Sequence, residues 1–295
     1  MEIREPERLT PVVGEADVIV VGSGPGGLSA AIAAARAGVS VILIERFGCF
    51  GGNITSVGVE GFAWYRHEKT IEAGGLAFEY EQRAIESNAA VPESQSKSYE
   101  LDSEGFKVVA DNLVLKAGVR PMLHRAFCAP ILDGDEIKGV ITESKAGREA
   151  ITGKIIIDAT GDADVARRSG VKVFKNKKED MISASVMFHM SGVNKEEFMN
   201  EIERDPQKYS DWSDKNWQVQ TSGKEDDMFS PFLRKPFEKA KDSGLIDSDL
   251  QTISGTWGAI HDTGELTYLN LVHLNGIDGT DPESLTTVSY THLRA

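Results

Sequence analysis

Residues 17 to 45 constrain this chain more than any other stretch. Asp17 to Val21 (DVIVV) is a short β-branched apolar run that ends in glycine, the pattern of a buried parallel strand. Gly22-Ser23-Gly24-Pro25-Gly26-Gly27 follows, and Leu28 to Ala37 is alanine-rich and favours helix, with Gly38 where a C-capping glycine belongs. Val39 to Ile44 reads as a second strand, and Glu45 stands at its end. Residues 16–46 thus make a complete β-α-β unit. Gly22 permits the tight turn out of the strand, and Gly24 leaves room for a pyrophosphate to approach the backbone and the helix N-terminus. Gly27 lets the helix pack close to the sheet. Ser23, Pro25 and Gly26 complete the loop. Glu45 lies 18 residues beyond Gly27, where a carboxylate can accept hydrogen bonds from both hydroxyls of a ribose. Its charge would repel a 2′-phosphate, which argues against NADP. The unit implies dinucleotide binding but does not separate NAD from FAD.

The residues after Glu45 bear on that choice. Arg46-Phe47-Gly48-Cys49-Phe50-Gly51-Gly52-Asn53 continues where an ordinary NAD domain would enter another helix. A glycine pair so soon after the ribose acid suggests a second close backbone approach to the same ligand, with a flexible loop as the alternative. The overall glycine content, 29 of 295 residues, fits several such approaches.

Composition narrows the function classes. With 32 basic and 46 acidic residues the net charge is -14, which repels nucleic-acid backbones and anionic lipid surfaces. No apolar run is long enough to span a bilayer, and the N-terminus has no apolar core of signal-peptide length. Cys49 and Cys128 form no CxxC pair, so a dithiol centre, a zinc knuckle or an iron–sulfur cluster is poorly supported. Cys49 reads as a packing residue before a redox thiol. A cytoplasmic protein without a nucleic-acid or membrane partner, and without a bound metal, is expected.

The middle of the chain adds a second ligand loop. Ser103 to Ala117 has helical spacing and closes at Gly118. Three strand-like runs follow, at 119–132, 137–144 and 150–157. Their separators, Asp133-Gly134-Asp135 and Lys145-Ala146-Gly147-Arg148, are hairpin material, so a β-meander is predicted over 119–157. Its last strand breaks into Asp158-Ala159-Thr160-Gly161-Asp162-Ala163-Asp164. Small residues, glycine and an acid at a strand's carboxyl end suit a ligand loop, although a solvated turn has the same composition.

Taken together, GSGPGGLSAAIAAARAG, VILIER, FGCFGGNITS and IIDATGDADVA resemble the FAD-dependent oxidoreductases of glutathione-reductase-type topology, and in particular the broad bacterial group of FAD-dependent oxidoreductases. The resemblance extends through MISASVMFHMSGVN, FEKAKDSGLID and GELTYLNLVHLNGIDGTDPESLT, roughly residues 17 to 286. It implies an α/β fold: a Rossmann-type FAD-binding domain with a β-meander insertion at 1–171, and an α+β substrate domain at 172–286. It further implies that Gly22, Gly24 and Gly27 cradle the FAD pyrophosphate, that Glu45 holds the adenosine ribose and that Arg46 lies beside the adenine. Gly51, Gly52 and Thr55 would line the stretch toward the flavin. The backbone of Phe127 would meet the adenine, and Thr160, Gly161 and Asp162 would close over the cofactor. The implied activity is two-electron transfer between a small-molecule substrate and flavin N5, with the substrate and the electron acceptor left open. An NAD-dependent Rossmann dehydrogenase is the alternative enzyme; a flavoprotein that acts on RNA is opposed by the acidic charge.

No catalytic residue carries over. His67 follows the flavin-side loop and is a weak catalytic candidate. His189, within the strand-like Val186 to Met190, reads first as a strand histidine with its hydrogen bonds satisfied, as do His261 and His273. The charged stretches 172–180 and 194–205 read as solvated helix faces. After Thr286 the family pattern breaks: residues 287–295 end in VSYTHLRA, which resembles translated adapter sequence. A chain truncated at its C-terminus, with part of the FAD domain missing and activity impaired, is therefore expected.

Overall fold

The computed structural model describes residues 3–4, 6–61, 66–67, 71–72, 74–92, 99–204, 208–210, 218–220, 238–245, 252–256, 258–273 and 276–292. The elements run β1 (Val12–Val21), α1 (Pro25–Arg36), β2 (Val41–Ile44), β3 (Arg66–His67), β4 (Ile71–Glu72), α2 (Leu76–Glu86), β5 (Ala90–Pro92), β6 (Tyr99–Leu101) and α3 (Ser103–Lys116). They continue β7 (Arg120–Met122), β8 (Ala126–Asp133), β9 (Glu136–Ser144), β10 (Gly147–Asp158), α4 (Asp164–Arg168), β11 (Met187–Met190), α5 (Lys195–Arg204), β12 (Lys208–Ser210) and β13 (Gln218–Gln220). The last are β14 (Thr252–Thr256), β15 (Leu266–His273) and α6 (Pro282–His292). Two compact units result: Met1–Ser56 with Phe106–Phe174, and Val57–Gly105 with Lys175–Ala295.

The first unit is built on a six-stranded sheet in the order β7-β2-β1-β10-β9-β8. β7, β2, β1 and β10 are mutually parallel, and β10, β9 and β8 are antiparallel. All of Val18–Val21 and Val41–Ile44 is buried, as central parallel strands covered on both faces must be. Ile19, Val21, Ile42 and Ile44 join Met122, Val140, Ile151 and Val165 in one apolar cluster. By alternation Val18, Val20, Val41 and Leu43 fill the other face. α1 buries Leu28, Ala31 and Ile32, and α3 buries Phe106, Val109, Ala110, Leu113 and Val114 at helical spacing.

The expected Rossmann-type α/β fold is present, with two local corrections. β1 begins at Val12, five residues before the apolar run, because its N-terminal half, interrupted by Gly14 and Glu15, still pairs with Ala150 to Gly153 of β10. The predicted first meander strand, 119–132, is two strands. Residues 120–122 form β7, the parallel neighbour of β2, and only β8, β9 and β10 make the antiparallel meander. The break comes at His124, whose backbone takes φ +57°, while Arg125 N–H donates to the Glu45 carbonyl at 2.9 Å. Pro121 is tolerated because β7 is an edge strand.

Among the described residues the second unit holds a three-stranded antiparallel sheet, β11-β15-β14, and three two-stranded ribbons. Its apolar cluster joins Ile260, Leu266 and Leu269 to Val193 and to Phe198 and Met199 of α5. α5 thus turns the partly buried Phe198 and Met199 to this cluster and leaves Lys195, Glu196, Glu197 and Glu201 exposed, while 172–180 contains only a single 3-10 turn. α6 runs unbroken through Thr286 and Thr287 to His292. Trp212 and Trp217 lie outside the described residues. Among the described residues, no helix is long and apolar enough to cross a membrane.

Lys175 ties the start of this unit to its end, donating to Asp278 at 2.5 Å and to the Thr280 hydroxyl at 2.5 Å. Lys175 first, and then the Thr280 N–H and O–H, hold the Asp278 carboxyl down to about 2 from its usual 3.8. A depressed acid contributes stability above its unfolded value and loses it as pH falls through its folded value. Lys175→Met is therefore expected to lower the melting temperature at pH 6, with the deficit closing as pH falls toward 2. A deficit that stays constant over that range would show that Asp278 is not its source.

Candidate nucleotide-binding site

The β1–α1 turn is shaped by atoms that leave no space for side chains. Gly22 has φ +97°, and a Cβ there would lie 2.3 Å from the Ala159 carbonyl oxygen. A Cβ on Gly27 would lie 1.9 Å from the Gly22 carbonyl oxygen, so α1 packs directly against the turn that starts it. Gly24 and Gly26 are different. A Cβ at either would meet nothing within 4 Å. Gly24 is the N-cap of α1 with extended backbone, Pro25 opens the helix, and no side chain caps it. No acidic residue occupies the first turn. The turn therefore presents helix-terminal amides to open space with no acid in the helix's own first turn, which suits an anionic group.

Glu45 extends the site from the end of β2. It is 6% exposed, and both oxygens are engaged. Oε2 accepts the Ser23 N–H at 2.9 Å and the Ser23 hydroxyl at 2.6 Å, and Oε1 accepts the Phe47 N–H at 2.9 Å. The glycine loop and the acid are thus one hydrogen-bonded assembly. A serine one residue into the glycine loop, facing an acid at the next strand's end, was the available signal for this link.

The second glycine pair is fastened to the first loop. Gly51 N–H donates to the Ser23 carbonyl at 2.9 Å, and a Cβ on Gly52 would lie 2.6 Å from Gly24 Cα. A π-helical turn, Asn53–Val57, follows. Within it Thr55 is buried and donates its hydroxyl to the Phe50 carbonyl at 2.6 Å, so its visible role is to close this loop. Cys49 Sγ lies 3.9 Å from Thr55 Oγ1 and 3.8 Å from Ser56 Oγ, against hydroxyls and with no thiol partner.

The loop after β10 reaches the same turn, since Ala159 N–H donates to the Val21 carbonyl at 2.9 Å. Asp158 is its organiser. One carboxylate oxygen accepts the Thr160 N–H at 3.1 Å and hydroxyl at 2.7 Å, and the other accepts the Ala166 N–H at 2.9 Å. Thr160 Oγ1 in turn accepts the Asp164 N–H at 2.9 Å. Gly161 and Asp162 are exposed at the tip. The acid that sequence reasoning left without a role is the one that shapes the loop.

Three other expected residues take separate positions. Arg46 is exposed and stacks over the Phe47 ring, 4.7 Å from its centroid. Phe127, on β8 opposite Thr142, packs against the sheet core with the Arg168 guanidinium 5.7 Å above its ring. His67 lies on β3, in the second unit, and its side chain is outside the described residues. Among the described residues no group of three or more His, Cys, Asp or Glu side chains could hold a metal ion.

Comparison with known proteins adds three findings. A model of the family described as FAD dependent oxidoreductase matches residues 17–292. Among curated proteins, a thiamine thiazole synthase of Saccharolobus islandicus is 30% identical over 171 residues, 54% of this chain and 60% of that protein. Digeranylgeranylglycerophospholipid reductase 2 of Methanopyrus kandleri is 30% identical over 192 residues, 62% of this chain and 46% of that protein. The chain thus covers no more than 60% of either relative. Among solved structures, a geranylgeranyl bacteriochlorophyll reductase-like protein of Thermoplasma acidophilum superposes with a TM-score of 0.43 at 20% identity, covering 61% of this chain and 48% of that one.

Proposed function

This chain belongs to the family of FAD-dependent oxidoreductases, and from that premise we propose that its first unit holds FAD and serves a two-electron oxidation or reduction of a small molecule. The observation that carries the reading is the uncapped N-terminus of α1, open at Gly24 and Gly26, beside the buried Glu45 carboxylate. Gly24, Pro25, Gly26 and the first-turn amides of α1 would receive the pyrophosphate, with Gly22 and Gly27 fixing the turn's shape. Glu45 has one acceptor direction on Oε1 beyond its bond from Phe47, and can take a ribose hydroxyl there. Rotation of the Ser23 hydroxyl would release Oε2 for the second. Gly51, Gly52 and Thr55 would continue the cradle toward the flavin. Thr160, Gly161 and Asp162 would close it, Arg46 would flank the adenine, and the Phe127 backbone would meet its edge. The bound flavin would supply hydride acceptance and donation at N5. The net charge of -14 supports a partner set without nucleic acid or anionic membrane, and two cysteines without a CxxC pair fit a reducing, cytoplasmic location. The substrate domain would lie in the second unit.

The test is reconstitution. The purified 295-residue chain is mixed with FAD, freed of unbound ligand and scanned for flavin absorbance, then reduced anaerobically. Retained absorbance that bleaches on reduction is the expected result. Failure to retain FAD, together with quenching of tryptophan fluorescence by NADH, would move the assignment to a nicotinamide-dependent dehydrogenase.

A further inference from the structure

The edge strand of the first unit carries a bulge that an arginine holds. In the β8–β9 pairing Ala126 faces Glu143, Phe127 faces Thr142 and Ala129 faces Ile141. Two successive residues of β9 thus oppose three of β8, and Cys128 is the extra one. A bulged residue loses its place in the ladder, and its backbone groups must find other partners. The Cys128 carbonyl accepts a hydrogen bond from Nη1–H of Arg168, the last residue of α4. The same guanidinium lies over the Phe127 ring, so it engages two successive residues of β8. A bond from a charged donor is about twice as strong as a neutral one. The helix that carries Arg168 is fixed in turn. Val165 is buried in the apolar cluster against which Phe127 packs. The Ala166 N–H donates to Asp158 and the Asp164 N–H to Thr160 Oγ1, both at 2.9 Å. α4 therefore ties the bulge in β8 to the loop after β10, and every one of these residues belongs to the first unit.

The position of the bulge gives it a ligand to read. The Arg125 N–H donates to the Glu45 carbonyl at 2.9 Å, so β8 starts beside the acid proposed to hold the ribose. β8 is also the last strand of its sheet, and among the described residues no strand pairs with its outer edge. A base carried by a ribose at Glu45 has that edge within reach. Adenine offers such an edge an acceptor at N1 and a donor at its 6-amino group. Hypoxanthine has the same shape with both reversed, a donor at N1 and an acceptor at O6. Backbone N–H and C=O groups held in fixed directions distinguish the two, whereas a carbonyl that can turn accommodates either. We propose that Arg168 is a positioning residue for base recognition: by engaging the Cys128 carbonyl it holds the β8 edge in the arrangement that accepts adenine. It thereby sets the preference of the site for an adenine nucleotide. This rests on the reading of the first unit as an FAD site.

The test compares ADP with inosine 5′-diphosphate, which share the ribose and diphosphate and differ only in the base. Each is titrated calorimetrically into the full chain and its variants. A smaller folded fraction, or a weaker attraction for the diphosphate, lowers both affinities alike and cancels in their ratio. The wild type is expected to prefer ADP at least about tenfold. Arg168→Met should bring the ratio to within about twofold of unity. Arg168→Gln, too short to reach the carbonyl, should do the same and decides the matter if the methionine variant folds poorly. Arg168→Lys keeps a donor and should restore most of the preference. Arg167→Met removes the same charge from the same helix and should keep the wild-type ratio. An unchanged ratio in Arg168→Met or Arg168→Gln overturns the role of Arg168, and so does an equal loss in Arg167→Met. A wild type that binds the two diphosphates equally overturns base recognition by this edge. A wild type that binds neither of them, nor FAD, counts against the FAD reading itself, and the proposal falls with it.

Discussion

Gly27→Ala is expected to cost the first unit about 3 kcal/mol, lowering its melting temperature by roughly 10 °C. The added Cβ would stand 1.9 Å from the Gly22 carbonyl oxygen and 3.1 Å from the Ala159 Cβ. No rotamer change relieves a contact with backbone. Either α1 moves away from β1 or the Gly22 turn opens, and both displace Leu28, Ala31 and Ile32 from the core. Against a total stability of about 5–15 kcal/mol, that loss is large. Gly26→Ala is the matched control. A Cβ there meets nothing within 4 Å, and alanine favours a helix over glycine by about 1 kcal/mol. Thermal unfolding followed by circular dichroism should therefore separate two substitutions one residue apart, with Gly26→Ala unchanged or slightly more stable. Equal melting temperatures would mean that α1 does not pack as closely on the turn as these distances require.

The contrast between neighbouring glycines shows what could be read from the chain and what could not. The β-α-β unit was legible because strand, turn and helix each follow from local spacing, and a buried parallel strand announces itself by an unbroken apolar run. Parallel pairing of β7 with β2 was not legible. It depends on a break at His124 and on register with a strand some eighty residues earlier, and neither leaves a local pattern. The same holds at the site. The acid at the end of β2 could be predicted from its distance to the glycines, but its capture by Ser23 is a tertiary contact. In the loop after β10, composition pointed to Thr160, Gly161 and Asp162, whereas Asp158 makes the bonds that shape it. A carboxylate at the last position of a strand is well placed to bond the amides that the ending strand frees, which is the signal that was there to use. His189 is a strand histidine, as expected, but the irregularity of the partner strand opposite it and the nearby Glu60 carboxylate, 3.0 Å from Nε2, leave no trace in MFHM.

Gly24→Ala should separate binding from folding. Its backbone, with φ −60° and ψ 176°, is open to any residue, and its Cβ would enter empty space. Folding stability should thus change by no more than about 1 kcal/mol, the scale of an N-cap exchange. Affinity for FAD should fall at least about a hundredfold, close to 3 kcal/mol, because the methyl group would occupy the space through which a pyrophosphate reaches the helix amides. The measurement is a fluorescence titration of FAD into wild type and variant, alongside thermal unfolding without FAD. Gly27→Ala should lose both properties, Gly26→Ala should keep stability, and Gly24→Ala should lose affinity alone. If Gly24→Ala binds FAD as tightly as the wild type, the open face of α1 is not where the pyrophosphate sits, and the assignment of Gly24, Pro25 and Gly26 fails with it. If it melts far below the wild type, the turn relies on Gly24 for its shape, and the empty space beside it is no longer evidence of a ligand.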